Sequence, residues 1–255
     1  MNESKYTSEA GHWYDRQGKP AYTVIGKNGK ERNTTLRDAR EKDLVPSVTT
    51  ILKVAAAPGL ERWKQQQILL AALTLPRNEG ELESDWLDRV MEDSRETGRK
   101  AADEGTAIHA AVQMDYEGFG YDEQFEKHVL GVRAAIEEKF GKRKWHCEKS
   151  FAHSEGFGGK VDMFAIDDTA GVVVDIKTKE FGPDDKVSAF DEHGMQLAAY
   201  RIGLGMLSAR CANVFVSRSH PGLVRIVEWE KEDIDKNERL FGCLLQFWQL
   251  KNNHR

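Results

Sequence analysis

The sequence predicts an α/β fold in which a mixed central sheet is flanked by helices, with a helical region and a hairpin arm toward the N-terminus. Three observations carry this. Helical periodicity dominates residues 46–140. Short β-like segments begin abruptly near Trp145. From there to the C-terminus, strands and helices alternate. A chain of 255 residues suits one large domain, or one core with an N-terminal extension, and can bury a core without staples.

Taken in order, Ala21-Tyr-Thr-Val-Ile25 followed by Gly26-Lys-Asn-Gly29 reads as a strand and hairpin turn, so residues 1–45 are expected to form an arm. Ser47 can cap a helix whose apolar face is Val48, Ile51, Leu52 and Val54, and Pro58-Gly59 breaks it. A second helix is expected over 60–75 and a long one over 84–115, where Gly98 and Gly105 mark a bend or close packing. A further helix is expected over 122–140. Residues 46–140 thus form a helical region packed on the core of 141–255. That core opens with strands near 145–152, 159–166 and 171–177, separated by His153-Ser-Glu-Gly156 and Asp167-Asp-Thr-Ala170. A helix over 185–207, strands over 212–217 and 223–229, and a helix over Lys231–Asn252 complete it.

Composition narrows the function classes. No apolar run approaches the ~20 residues of a membrane span, and the polar N-terminus has no apolar signal-peptide stretch, which predicts a cytoplasmic protein. Cys147, Cys211 and Cys243 lie far apart without a CxxC pair, which argues against a zinc ribbon or iron–sulfur cluster. A net charge of −5 argues against coating nucleic acid by bulk electrostatics but leaves room for a local basic groove.

The stretch that carries chemistry is Gly158-Gly-Lys-Val-Asp162 followed by Val172-Val-Val-Asp175-Ile-Lys177-Thr-Lys179. Alternation along a strand puts Asp175 and Lys177 on one face. Val172, Val173 and Val174 form the apolar run of a strand covered on both sides. By itself this is also the pattern of a same-face ion pair. Asp162, near the middle of the preceding strand and after two glycines, changes the reading. If the strands pair as a meander, the two carboxylates converge, and converging carboxylates repel unless a cation lies between them.

These elements resemble the PD-(D/E)XK nuclease superfamily, and more closely its RecB-like exonuclease branch, including phage and mitochondrial-maintenance exonucleases. Gly159-Lys-Val-Asp162 matches the GxxD element and Asp175-Ile-Lys177 the DxK element. Glu104-Gly-Thr-Ala-Ile-His109 is similar to the helical histidine motif, Gln196-Leu-Ala-Ala-Tyr200 to the QxxxY motif, and Pro46-Ser-Val-Thr-Thr-Ile-Leu52 to the start of such exonucleases. The resemblance spans residues 46–230. It implies a restriction-endonuclease-like fold and a DNA exonuclease acting in replication, recombination or repair, in a bacterial or phage-infected cell. It also implies Mg²⁺ or Mn²⁺ held by His109, Asp162, Asp175 and the Ile176 carbonyl. A nitrogen ligand suits Mn²⁺ somewhat better. Lys177 would position or activate water, and Gln196 and Tyr200, four apart on one helix face, would border the site. Many superfamily members carry Glu where this chain has Asp175.

For the DNA itself, Arg95, Arg99 and Lys100 before His109, Lys144 before the first strand, and Lys179 after the DxK element are candidate phosphate contacts, with a solvated surface as the alternative. Trp63 and Phe181 are candidates for stacking on unpaired bases, though Trp63 also reads as a core anchor. Glu148 reads as a solvated strand carboxylate or an auxiliary acid. His153, His193 and His220 have no partner pattern. A recombination or single-strand-binding protein is an expected further partner. An endonuclease of the same superfamily and a non-cleaving DNA-binding protein stay open as alternatives.

Overall fold

The computed structural model describes residues 11–55, 57–166 and 171–255. The expected turn at Asp167-Asp-Thr-Ala170 and the first ten residues of the polar N-terminus lie outside the described residues. The architecture is mixed α/β, with a five-stranded mixed sheet flanked by helices.

The sheet consists of β5 (Trp145–His153), β6 (Phe157–Ala165), β7 (Val172–Lys179), β8 (Arg210–Ser217) and β9 (Val224–Trp229), in that order. Only β7 and β8 run parallel, and α6 (Asp191–Gly203) connects them; the other neighbours are antiparallel. Apolar residues of the sheet pack into two cores, one on each face. On one side, Val161 and Val173 pack with α2 (Val48–Leu52), α6 and α7 (Lys231–Asn252). On the other, Val172, Val174 and Ile176 pack with Ile108 and Val112 of α4 (Glu83–Tyr116) and Val129 and Ile136 of α5 (Glu126–Phe140). The continuous valine run is therefore that of a strand covered on both faces, as its composition predicts.

The N-terminal segment contains the expected hairpin, β2 (Thr23–Ile25) with β3 (Glu31–Asn33). It is more than an arm. β1 (Trp13–Tyr14) pairs with β4 (Val45–Pro46), and Trp13, with Ala39 of α1 (Leu36–Glu41) and Leu44, belongs to the first core. Trp13 meets Trp248 edge-on at 6.0 Å, and His254 reaches the Leu44 carbonyl, so the C-terminal residues pack onto the segment 13–44.

α3 (Pro58–Thr74) begins at the proline expected to precede it, because proline is tolerated in a first helical turn. α6 starts six residues later than expected. Asp185 accepts the Gly182 N–H, a local bond that competes with helix, and the segment stays a loop until Asp191. Among the described residues no helix is long and apolar enough to cross a membrane.

The outer edge of the sheet is fastened by Glu228 on β9, which accepts from Arg210 on β8 and Lys139 on α5. Those bonds hold its carboxyl down at about 2. A carboxylate lowered on folding stabilises above its unfolded pKa, roughly 4.3, and loses that contribution as pH falls toward the folded value. Arg210 and Lys139 are 42% and 44% exposed, so screening limits the bridge to about 1 kcal/mol. Glu228→Gln should lower the urea midpoint at pH 7, and the difference from the parent should shrink as pH falls below about 4.

Candidate active site

The ladder between β6 and β7 ends at Met163 and Val174. One step further in the same register, Asp162 faces Asp175. One step across β5, Glu148 lies opposite Asp162, between the paired positions Cys147–Met163 and Lys149–Val161. Three carboxylates therefore lie in one row across three strands.

Each carboxylate is held differently. Asp162 accepts the Ile176 backbone N–H at 2.8 Å, which ties β6 to β7 where their ladder stops. Asp175 is fully buried. It accepts from the Lys177 ammonium at 2.9 Å and from the Asn213 amide at 2.8 Å. Glu148 forms an ion pair with Lys160 and has a left-handed backbone, φ 53°. That conformation is strained for a glutamate and tends to occur at functional sites.

A chain of side chains runs through Lys177. Its ammonium also donates to Gln196 Oε1 at 3.0 Å, and Gln196 Nε2 donates to the Tyr200 hydroxyl at 2.7 Å. On the far side, Asn213 Oδ1 accepts from the Trp229 indole at 2.8 Å. Of the two α6 residues four apart, Gln196 thus meets the DxK lysine and Tyr200 backs Gln196, and both are buried. Gly159 permits this: a Cβ there would meet the rings of Phe151 and Tyr200 at 2.9–3.0 Å.

His109 arrives from the other side. Its Nδ1 is 3.7 Å from Asp162 Oδ2, and its ring bonds the Ile176 backbone. Gly105, one turn earlier, makes this possible, since a Cβ there would sit 2.5 Å from Thr178 Oγ1. The sequence left bend and close packing open at Gly105; close packing against β7 is what the helix uses it for.

Charge states follow from these surroundings. Burial, then the nearby Asp175, raises the Asp162 carboxyl well above the usual carboxylate range. Burial and then Lys177 push His109 down to about 4, so its imidazole is neutral and free to act as a ligand. Burial alone pulls Lys177 down, but Asp175 and Asp162 outweigh it, and its pKa ends above that of a free lysine. Lys177 is therefore an ammonium beside the two carboxylates.

Among the described residues no three His, Cys, Asp or Glu side chains stand in a ready-made metal cage. The physical reason is visible: the Lys177 ammonium lies on Asp175, and Asp162 is turned to the Ile176 amide. The donor set nonetheless suits a divalent cation. It offers two opposed carboxylates, one of them with its anion disfavoured by the other, a neutral imidazole and a backbone carbonyl.

A cleft of about 1190 Å³ opens over this point, lined by His109, Ile176, Lys177, Glu148 and Lys179 together with α3 and α4. Of the basic candidates only Lys179 lines it. Arg95 and Arg99 pair with Glu92, and Lys100 pairs with Glu96, on the exposed side of α4; Lys144 is exposed before β5. Phe181 is buried and cannot stack on a base, whereas Trp63 does line the cleft. Three residues carry more than the sequence indicated. Glu148 lies in the carboxylate row. His193 lines the cleft with its Nδ1 fixed by the Phe190 N–H. Asn213 is a fully buried amide, and a polar residue inside the run Cys211–Ser217 was its one signal.

No family model matches the chain, and no curated protein does. A solved structure described as "Crystal structure of SSO0001" is similar at 17% identity over 45% of this chain, with a TM-score of 0.27. The chain spans about half, 55%, of that structure's length, and a likeness this distant carries no argument.

The hydrogen-bond chain makes a direct prediction. Asn213→Leu would remove one of the two partners of Asp175 Oδ2, leaving it Lys177, and would leave the Trp229 indole without Asn213, at a cost of about 1–3 kcal/mol. Urea denaturation should show it as a lower midpoint. An unchanged midpoint would mean that Asn213 does not hold Asp175.

Proposed function

We propose that the chain is a divalent-cation-dependent nuclease of the PD-(D/E)XK type, and specifically a DNA exonuclease. The observation that carries this reading is the facing pair Asp162 and Asp175 at the fork of β6 and β7, with Lys177 fixed beside them by Gln196. The mixed five-stranded sheet supports a restriction-endonuclease-like fold, because it sets the two motif-bearing strands side by side in the register the chemistry needs. The QxxxY pair supports the exonuclease branch, since Gln196 accepts from the motif lysine and Tyr200 holds Gln196.

His109, Asp162, Asp175 and the Ile176 carbonyl would hold Mg²⁺ or Mn²⁺. When bound, the ion polarises a phosphate and lowers the pKa of water. The chain's own groups do the rest. Lys177 donates to charge developing on the phosphate, or positions or activates the attacking water. Gln196 fixes the direction of that ammonium, and Tyr200, whose burial keeps the phenol neutral, fixes Gln196. His109 stays neutral across the physiological range and contributes a lone pair.

The test is digestion of end-labelled linear DNA and closed circular DNA with Mg²⁺ or Mn²⁺. Asp162→Asn, which keeps the side chain's shape, and Lys177→Ala should each lose about 10²–10⁴-fold in rate. Because removing Lys177 leaves a buried carboxylate unpaired, each variant is first checked by thermal melting. Metal-dependent shortening from an end, lost in both folded variants, is the expected result. Cuts inside closed circles would make it an endonuclease. Cleavage unchanged in Asp162→Asn would overturn the site.

A further inference from the structure

The cleft above the carboxylates is larger than a pocket for one small molecule, which runs about 300–1,000 Å³. Its walls are aromatic as well as cationic. On one wall Trp63 of α3 lies over Gly98 of α4, where an added Cβ would stand 3.7 Å from the indole. One turn earlier on α3, Gly59 meets the ring of Phe190, which precedes α6 and is 45% exposed. The Lys179 ammonium lies 4.9 Å from the Phe215 ring and 6.0 Å from the Phe190 ring, a cation beside the aromatic lining. Half-exposed rings on separate elements, facing one cleft beside a lysine, match the chemistry of an unpaired nucleic-acid strand. Bases stack on aromatic faces whatever their sequence, and cations follow the backbone.

We propose that this cleft takes a single DNA strand, with unpaired bases stacked on Trp63 and Phe190 and a phosphate on Lys179. This rests on the nuclease reading and adds its substrate class. Stacking on a side chain needs an open base face, and inside a duplex both faces of each base are covered by its neighbours. Lys177 lines the same cleft as both rings. A strand stacked on those rings beside it is unpaired there. The enzyme accordingly acts on single strands and unpaired tails in preference to blunt duplex ends.

The experiment is fluorescence anisotropy of a labelled single-stranded oligonucleotide and of the blunt duplex of the same sequence. The full chain is used with Ca²⁺, and cleavage of both substrates is then followed with Mn²⁺. Tighter binding to the single strand is expected. Phe190→Ala, at a loop position, should weaken it about tenfold, the loss of one stacked base. Trp63→Ala should do the same, with binding restored in Trp63→Phe, which separates stacking from any packing role of Trp63. Equal binding to the duplex, or single-strand binding unchanged in Phe190→Ala and Trp63→Ala, would overturn the proposal. Blunt ends cut as fast as single strands would also overturn it while leaving the nuclease reading intact. Ring-dependent binding of single strands without cleavage of any DNA would support the strand site and refute the nuclease reading.

Discussion

Two carboxylates facing each other where strands β6 and β7 part are the constraint from which the rest of the site follows. A fully buried aspartate beside one that is 17% exposed is unfavourable at the edge of an apolar core, and the protein spends one ammonium, one side-chain amide and one backbone N–H to hold the pair. Burial and Asp175 still disfavour the Asp162 anion. Residual repulsion of this kind is relieved by a cation, and the neutral His109 imidazole and the Ile176 backbone flank the place where one would bind.

The fold delivers this arrangement through close approaches at residues without side chains. Gly105 lets α4 come down on Thr178, which brings His109 to the strand ends. Gly159 lets the Tyr200 ring rest on β6, which places Gln196 above Lys177. The parallel register of β7 and β8 sets Asn213 opposite Asp175, and Trp229 on β9 closes the chain of hydrogen bonds. Each contact joins elements far apart in sequence, so the position of Lys177 depends on the whole sheet and on α6.

Much of this was legible in the sequence because it rests on local periodicity. The alternation around Asp175 and Lys177, the apolar valine run and the four-residue spacing of Gln196 and Tyr200 need only strand and helix geometry. What could not be read depends on register between strands or on how helices lie over the sheet. Glu148 looks like a solvated strand carboxylate until β5 aligns it with Asp162. Asn213 is one amide in an apolar strand until β8 aligns it with Asp175. His193 had no sequence partner because its neighbours, Lys177 and Phe215, come from other elements. Phe181 and Phe190 are both loop aromatics near α6, and only packing shows the first to be buried and the second exposed. The basic residues of α4 were legible in a different sense. Glu92 and Glu96 lie three to seven positions away on the same helix, the spacing that neutralises Arg95, Arg99 and Lys100 on its surface.

The central claim is that Asp162 and Asp175 form a divalent-cation site. It is tested most directly by titrating the full chain with Mn²⁺ and following free Mn²⁺ by electron paramagnetic resonance, beside Asp162→Asn. Saturable binding by the parent chain, lost in the folded Asp162→Asn variant and competed by Mg²⁺, is the result this account predicts. Absence of saturable binding, or binding that survives in Asp162→Asn, would contradict it.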